Sequence, residues 1–249
     1  NGEATASKLA RVREQMEKED AQYHIISTLD DIAWILNVRG NDIPHVPVVL
    51  SFLVIGKEDA MWFVEENALS DAVKEMAAEC GITIRPYEDV YAYAATIPEH
   101  STVLLDKRKV NYRITKALSE TVHIVSKANP SQLMKAIKNE IELENTRKAH
   151  LLDGIAVTKF MYWLKKNVGK IPMDEVSVSD YLQSLREQME GYRDISFDTI
   201  AGYNANAAMM HYKAEPDTAA KLEPQGMLLV DSGGHYDTGT TDITRTFVL

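Results

Sequence analysis

Two apolar runs, residues 48–55 and 60–64, stand on either side of Gly56-Lys57-Glu58-Asp59. A connection that short, rich in turn formers, specifies an antiparallel hairpin, because parallel strands need a crossover of a dozen residues or more. Around the hairpin, helical and strand-like segments alternate. Thr5 is placed to cap a helix whose apolar positions Leu9, Val12 and Met16 recur at helical spacing. Further helices are expected at 29–36, 68–79 and 112–119, and strands at 23–27, 81–87, 102–105 and 122–125. Alternation of this kind joined to a hairpin implies an α/β domain built on a mixed sheet.

Ala128-Asn129-Pro130-Ser131 is the natural boundary, dividing the chain into domains 1–129 and 130–249. From Pro130 a single long helix is expected to about Asn167. Ile137, Ile141, Leu143, Leu151, Ile155, Val157 and Phe160 would form its apolar stripe. A second helix, 178–189, follows the turn Gly169-Lys170-Ile171-Pro172. Beyond Gly191 the pattern changes to strands at 195–200, 208–212, 227–230 and 244–249, with an Asn/Ala-rich loop at 202–207. An apolar final strand would leave an edge in need of cover.

Composition narrows the function. Apolar residues make up 45% of the 249, enough for real cores. Asp and Glu outnumber Lys and Arg by 37 to 27, a formal charge of −10 that opposes nucleic-acid binding. The lone Cys80 has no disulfide partner, and no apolar run has the length of a membrane span, which points to a reducing, cytoplasmic setting. The chain opens on Asn1 rather than Met and stops soon after Asp242, as expected of a segment from a longer protein.

The stretch of most chemical interest is Val230-Asp231-Ser232-Gly233-Gly234-His235-Tyr236 with Gly239-Thr240-Thr241-Asp242. If 227–231 is a strand and Asp242 opens the returning one, both carboxylates project where the sheet opens. Like charges so placed repel unless a cation lies between them. Carboxylates suit divalent ions, but Asp is also common in Gly-rich turns, and spacing alone leaves both readings open. An EF-hand is excluded: Tyr236 occupies the position that loop reserves for Gly, and strands rather than helices flank it.

This segment, continued by Ile243-Thr244-Arg245-Thr246, closely resembles the metal-ligand segment of aminopeptidase P, the Xaa-Pro aminopeptidases of the pita-bread metallopeptidase group. Ser196-Phe197-Asp198-Thr199-Ile200 with Met210-His211-Tyr212 is similar to the segment carrying that family's active-site histidine. Residues 133–142 resemble its first catalytic helix, and residues 29–43 the middle domain of its three-domain form. The resemblance implies a creatinase N-terminal-like mixed-sheet domain followed by part of an α+β pita-bread domain. It implies Asp231 and Asp242 as ligands of two divalent metal ions, usually manganese, and His211 as a substrate-binding and catalytic histidine. The activity implied is hydrolysis, by metal-activated water, of the bond between an N-terminal residue and a following proline, in a homodimer. The family completes its site with a histidine and two glutamates farther along, so these 249 residues alone are expected to be inactive. A non-catalytic dimerisation or peptide-binding module of the same fold is the alternative. Creatinase-like amidinohydrolases lack the metal aspartates, so Asp231 and Asp242 argue against them.

Other chemically able residues have plainer readings. His235 lies between the aspartates but is left out of the metal set, His45 belongs to a middle-domain loop, and His150 fits helix packing. Phe160, Tyr162 and Trp163 point in several directions from one helix, as packing residues do. Lys135, Lys138, Arg147 and Lys148 with Glu140, Glu142 and Glu144 form a mixed-charge solvated face.

Overall fold

The structure, a computed structural model, describes residues 2–249, which divide by contact into two units, one ending at Lys138 and one running Asn139–Leu249. In the first unit α1 (Thr5–Lys18), β1 (Tyr23–Ile26) and α2 (Leu29–Leu36) lead into the hairpin of β2 (Ser51–Gly56) and β3 (Ala60–Val64). Then follow α3 (Asp71–Glu79), β4 (Ile82–Arg85), α4 (Asp89–Ala95), β5 (Thr102–Leu105), α5 (Tyr112–Ala117), β6 (His123–Ser126) and α6 (Pro130–Ala136). The six strands form one sheet in the order β4-β3-β2-β1-β5-β6. β1/β2 and β2/β3 are antiparallel, and β3/β4, β1/β5 and β5/β6 are parallel, so the sheet is mixed as expected.

Every residue of β2 is buried because both faces of the sheet are covered. Leu53 and Ile55 pack with Leu9, Val12 and Met16 of α1 and Ile32 and Ile35 of α2; Phe52 and Val54 pack with Val90 and Ala94 of α4 and Ile114 of α5. Alternation sends successive side chains to opposite cores. Thr5 is the first helical residue rather than the cap, and its hydroxyl donates to the Leu36 carbonyl, tying α1 to α2. α4 is an element that the sequence reading lacks. α6 packs in this first unit through Met134, so the geometric division falls later than the Pro130 break.

The expected single helix from Pro130 is two helices. Ile137 leaves helical geometry, and Asn139 starts a new helix with a full capping box: its side chain accepts from Glu142 N and the Glu142 carboxylate accepts from Asn139 N. This helix, α7 (Glu140–Asn167), has 28 residues. Its buried row is Ala149, Asp153, Ala156, Phe160 and Leu164; of the expected stripe Phe160 and Val157 face the core, whereas Ile141, Leu151 and Ile155 are exposed. α8 (Glu175–Glu187) lies against α7, with Trp163 stacked on Tyr181 at 3.8 Å between ring centroids.

The strands of the second unit are β7 (Tyr192–Ile195), β8 (Ile200–Tyr203), β9 (Met227–Ser232), β10 (Gly234–Tyr236), β11 (Gly239–Thr240) and β12 (Ile243–Val248). They form two antiparallel three-stranded sheets, β11-β10-β7 and β12-β9-β8. The single strand expected at 195–200 is thus the end of one strand and the start of another. The strand expected at 208–212 does not form; a 3₁₀ helix over Asn204–Ala208 runs into a turn. Phe160 and Leu164 of α7 and Leu182 of α8 close the core over Leu228, Val230 and Phe247, with Phe160 edge-on to Phe247 at 5.7 Å.

Candidate metal centre

Asp231 lies in β9 one residue before its end, and Asp242 immediately precedes β12. The two strands pair with Asp231 opposite Thr244 and Ser232 opposite Ile243. Side chains directly opposite share a face, and residues two apart on one strand share a face. Continued one residue past the paired strand, the same alternation would put Asp242, two residues before Thr244, toward the face of Asp231 as a diagonal neighbour, about 7–8 Å away between Cα atoms in a regular antiparallel pair. The Thr244 hydroxyl donates to Asp231 Oδ1 at 2.7 Å, which fixes one carboxylate oxygen and leaves the other available. Asp231 is half-buried and Asp242 exposed, and among the described residues neither is ion-paired.

The reversal between them is shaped by close backbone contact. A Cβ on Gly233 would lie 2.0 Å from the Thr241 carbonyl oxygen and 2.3 Å from Ser196 Oγ, so only glycine fits. Ser196 fastens that approach from outside, its N–H donating to the Gly233 carbonyl and its hydroxyl to the Thr241 carbonyl. His235 is buried, with Nδ1 2.8 Å from Thr240 Oγ1, an internal tie of the β10–β11 turn.

Beneath the reversal sits a polar cluster that the sequence reading does not single out. Asp153 of α7 and Arg186 of α8 form a fully buried ion pair, to which Ser232, Tyr236 and Thr241 are all hydrogen-bonded. Burial, together with the Asp153 carboxylate beside it, pushes the Tyr236 hydroxyl well above the usual phenol range. The one trace of this cluster in the sequence is an acidic residue in helical register with Ala149, Ala156 and Phe160.

His211 occupies the exposed turn after the 3₁₀ helix, with a left-handed backbone (φ 58°). Its neighbour Tyr212 is held from below by Glu175, a fully buried carboxylate on α8 that also accepts from Tyr203 N, Ala220 N and the Asn206 amide. Burial alone would raise the Glu175 carboxyl, but these donors outweigh it and hold it below the ordinary carboxylate range. The Tyr212 hydroxyl, partly desolvated and facing that carboxylate, is pushed up to about 12.

Alternation from the register would thus turn Asp231 and Asp242 to one face, and His211 does not join them in a ligand cluster: among the described residues no three His, Cys, Asp or Glu side chains gather at metal-holding spacing. The donor chemistry itself fits a divalent ion. Neither Asp231 nor Asp242 is ion-paired among the described residues, and carboxylates are the donors that hard and borderline divalent ions take.

Comparison with known proteins bears on the same segments. Residues 1–142 match the model of the creatinase/prolidase N-terminal domain, and residues 144–249 that of metallopeptidase family M24. A probable Xaa-Pro aminopeptidase P of Neurospora crassa is 36% identical over 99% of this chain and 38% of its own length. Xaa-Pro aminopeptidase 1 of Dictyostelium discoideum is 38% identical over 98% of this chain and 39% of its own. The crystal structure of an X-prolyl aminopeptidase from Caenorhabditis elegans, described as a cytosolic enzyme with a di-nuclear active site, superposes with a TM-score of 0.92 at 30% identity. It covers 99% of this chain, which spans 41% of that one. The chain therefore spans about two fifths of the length of the relatives it matches.

Proposed function

Because the chain belongs to metallopeptidase family M24, with a creatinase/prolidase N-terminal domain ahead of a pita-bread domain, we propose that it is part of a dinuclear aminopeptidase. The reaction is hydrolysis of the bond between an N-terminal residue and a following proline. The observation that supports this most is the strand register that sets Asp231 opposite Thr244, two residues past Asp242, on a reversal that only Gly233 permits. Asp231 and Asp242 would hold the ions, most simply manganese. Divalent ions, when bound, lower the pKa of water and polarise the scissile carbonyl. Thr244 orients Asp231, and the exposed His211 binds substrate and handles a proton near the reacting carbonyl. The substrates are peptides with proline in second position, and the complete protein acts as a cytoplasmic homodimer.

The test is hydrolysis of X-Pro-Y against X-Ala-Y peptides by the complete, manganese-loaded protein. Cleavage before proline alone is expected. Asp231→Asn and Asp242→Asn should each lower kcat/KM by roughly a thousandfold, since metal polarisation is worth several kcal/mol and each ~1.4 kcal/mol is tenfold. Unchanged rates in both variants would remove the aspartates from the site.

The lack of any three-ligand cluster among the described residues favours a second statement: the 249-residue chain by itself serves as a binding or dimerisation module without peptidase activity. Manganese-dependent cleavage by the isolated chain would overturn it.

A further inference from the structure

The cluster under the metal segment does more than join two helices. Asp153 and Arg186 are both 0% exposed, and their pairing is bidentate, Nε to Oδ1 at 2.5 Å and Nη2 to Oδ2 at 3.2 Å. The same Nη2 donates to Ser232 Oγ at 3.0 Å. On the other side Asp153 accepts from Thr241 Oγ1 at 2.6 Å and from the Tyr236 hydroxyl at 3.2 Å. Thr241 Oγ1 in turn accepts from Gly234 N at 2.9 Å. Ser232 directly follows Asp231 and Thr241 directly precedes Asp242, so one ion pair grips both ends of the reversal.

Stability alone is a poor account of this arrangement. Taking two charges out of water costs more than their attraction generally returns, and apolar side chains of similar volume would join α7 to α8 at least as well. What apolar contacts would lack is direction. A planar guanidinium and a carboxylate, each with its donors and acceptors assigned, fix the positions of the backbone segments bonded to them. Asp231 and Asp242 are like charges at the two ends of one reversal, and in a loose reversal they would swing apart. Holding them at one separation before a cation arrives removes the ordering that binding would otherwise require.

We infer that Asp153 and Arg186 are positioning residues, which act through Thr241 and Ser232 to preset the spacing of the Asp231 and Asp242 carboxylates for divalent cations. The inference rests on the metal reading above, and its test separates the two. Manganese binding to the complete protein is followed by the electron paramagnetic resonance of the free ion, at a temperature where metal-free circular dichroism shows each variant folded. Under that condition a merely structural contact alters the melting temperature and leaves the dissociation constant alone. Thr241→Val and Ser232→Ala cut one link each and keep the ion pair; Arg186→Lys keeps the charge and loses the fork. In each the dissociation constant for manganese is expected to rise tenfold or more, the usual effect of losing a contact that orients a ligand. Thr241→Ser, which restores the hydroxyl, should bring it back. Wild-type affinity within twofold in Thr241→Val and Ser232→Ala, both folded, overturns the inference while leaving the metal reading intact. Wild-type affinity in Asp231→Asn instead removes the metal reading, and the inference with it.

Discussion

Two single residues carry consequences that the rest of the fold only transmits. His24 is fully buried in β1, its Nδ1 donating to the Leu104 carbonyl, and burial lowers its pKa from 6.5 to about 4. The unfolded chain therefore takes up a proton between those values and the folded one does not. Stability from this source is full above pH 6.5, falls as pH drops toward 4, and changes no further below it. At ~1.4 kcal/mol per pH unit the loss is about 3 kcal/mol. Denaturant unfolding at pH 7 and pH 4.5 should show a steeper loss for wild type than for His24→Gln, and equal losses would refute it. Gly233 is the second. Its Cβ would strike the Thr241 backbone, so Gly233→Ala should cost roughly 2–3 kcal/mol as overpacking and weaken manganese binding as well. A variant with wild-type melting and affinity would show that the reversal has room to spare.

At the scale of elements, α7 is where reading the sequence and folding the chain part company. A helix over this span was legible, because the helical period is long; its start was not, since the expected helix ran on from Pro130 through the capping box of Asn139 and Glu142. Its inner face was legible only at Val157 and Phe160. Two of the buried positions are alanines, and the most telling one is an aspartate, Asp153, while the bulky Ile141, Leu151 and Ile155 that dominate the periodicity are exposed. Hydrophobic patterning scores size and polarity, and it cannot register a polar residue buried for the sake of a partner 33 positions away. The same holds for Glu175, whose donors come from β8 and from the segment around Tyr212 and Ala220. Glu175→Gln puts an amide donor against backbone N–H groups and should cost about 1–3 kcal/mol. Hydrogen exchange is expected to speed up at Tyr203 and Ala220 and through the His211 turn; exchange unchanged there would mean that Glu175 does not hold the turn.

On the scale of the whole molecule, each unit has its own hydrophobic interior. The first has a six-stranded sheet covered on both faces, so a chain of residues 1–138 should fold alone and unfold in one cooperative step. Circular dichroism and fluorescence melts that failed to coincide would count against that. Manganese should leave this piece unaffected and stabilise the second unit. What the sequence determined by itself is what local rules encode: the β2–β3 hairpin, the alternation that makes the sheet mixed, the identity of Asp231 and Asp242 as a pair at the ends of a glycine-threonine reversal. Only the tertiary structure decided that His211 sits in a turn rather than a strand, and that Asp153 and Arg186 bond to Ser232 and Thr241, the residues adjoining the two aspartates. The reason is range. Turn chemistry and periodicity act between near neighbours, whereas strand register and buried ion pairing join residues tens of positions apart, and their energies exist only once the chain has closed on itself.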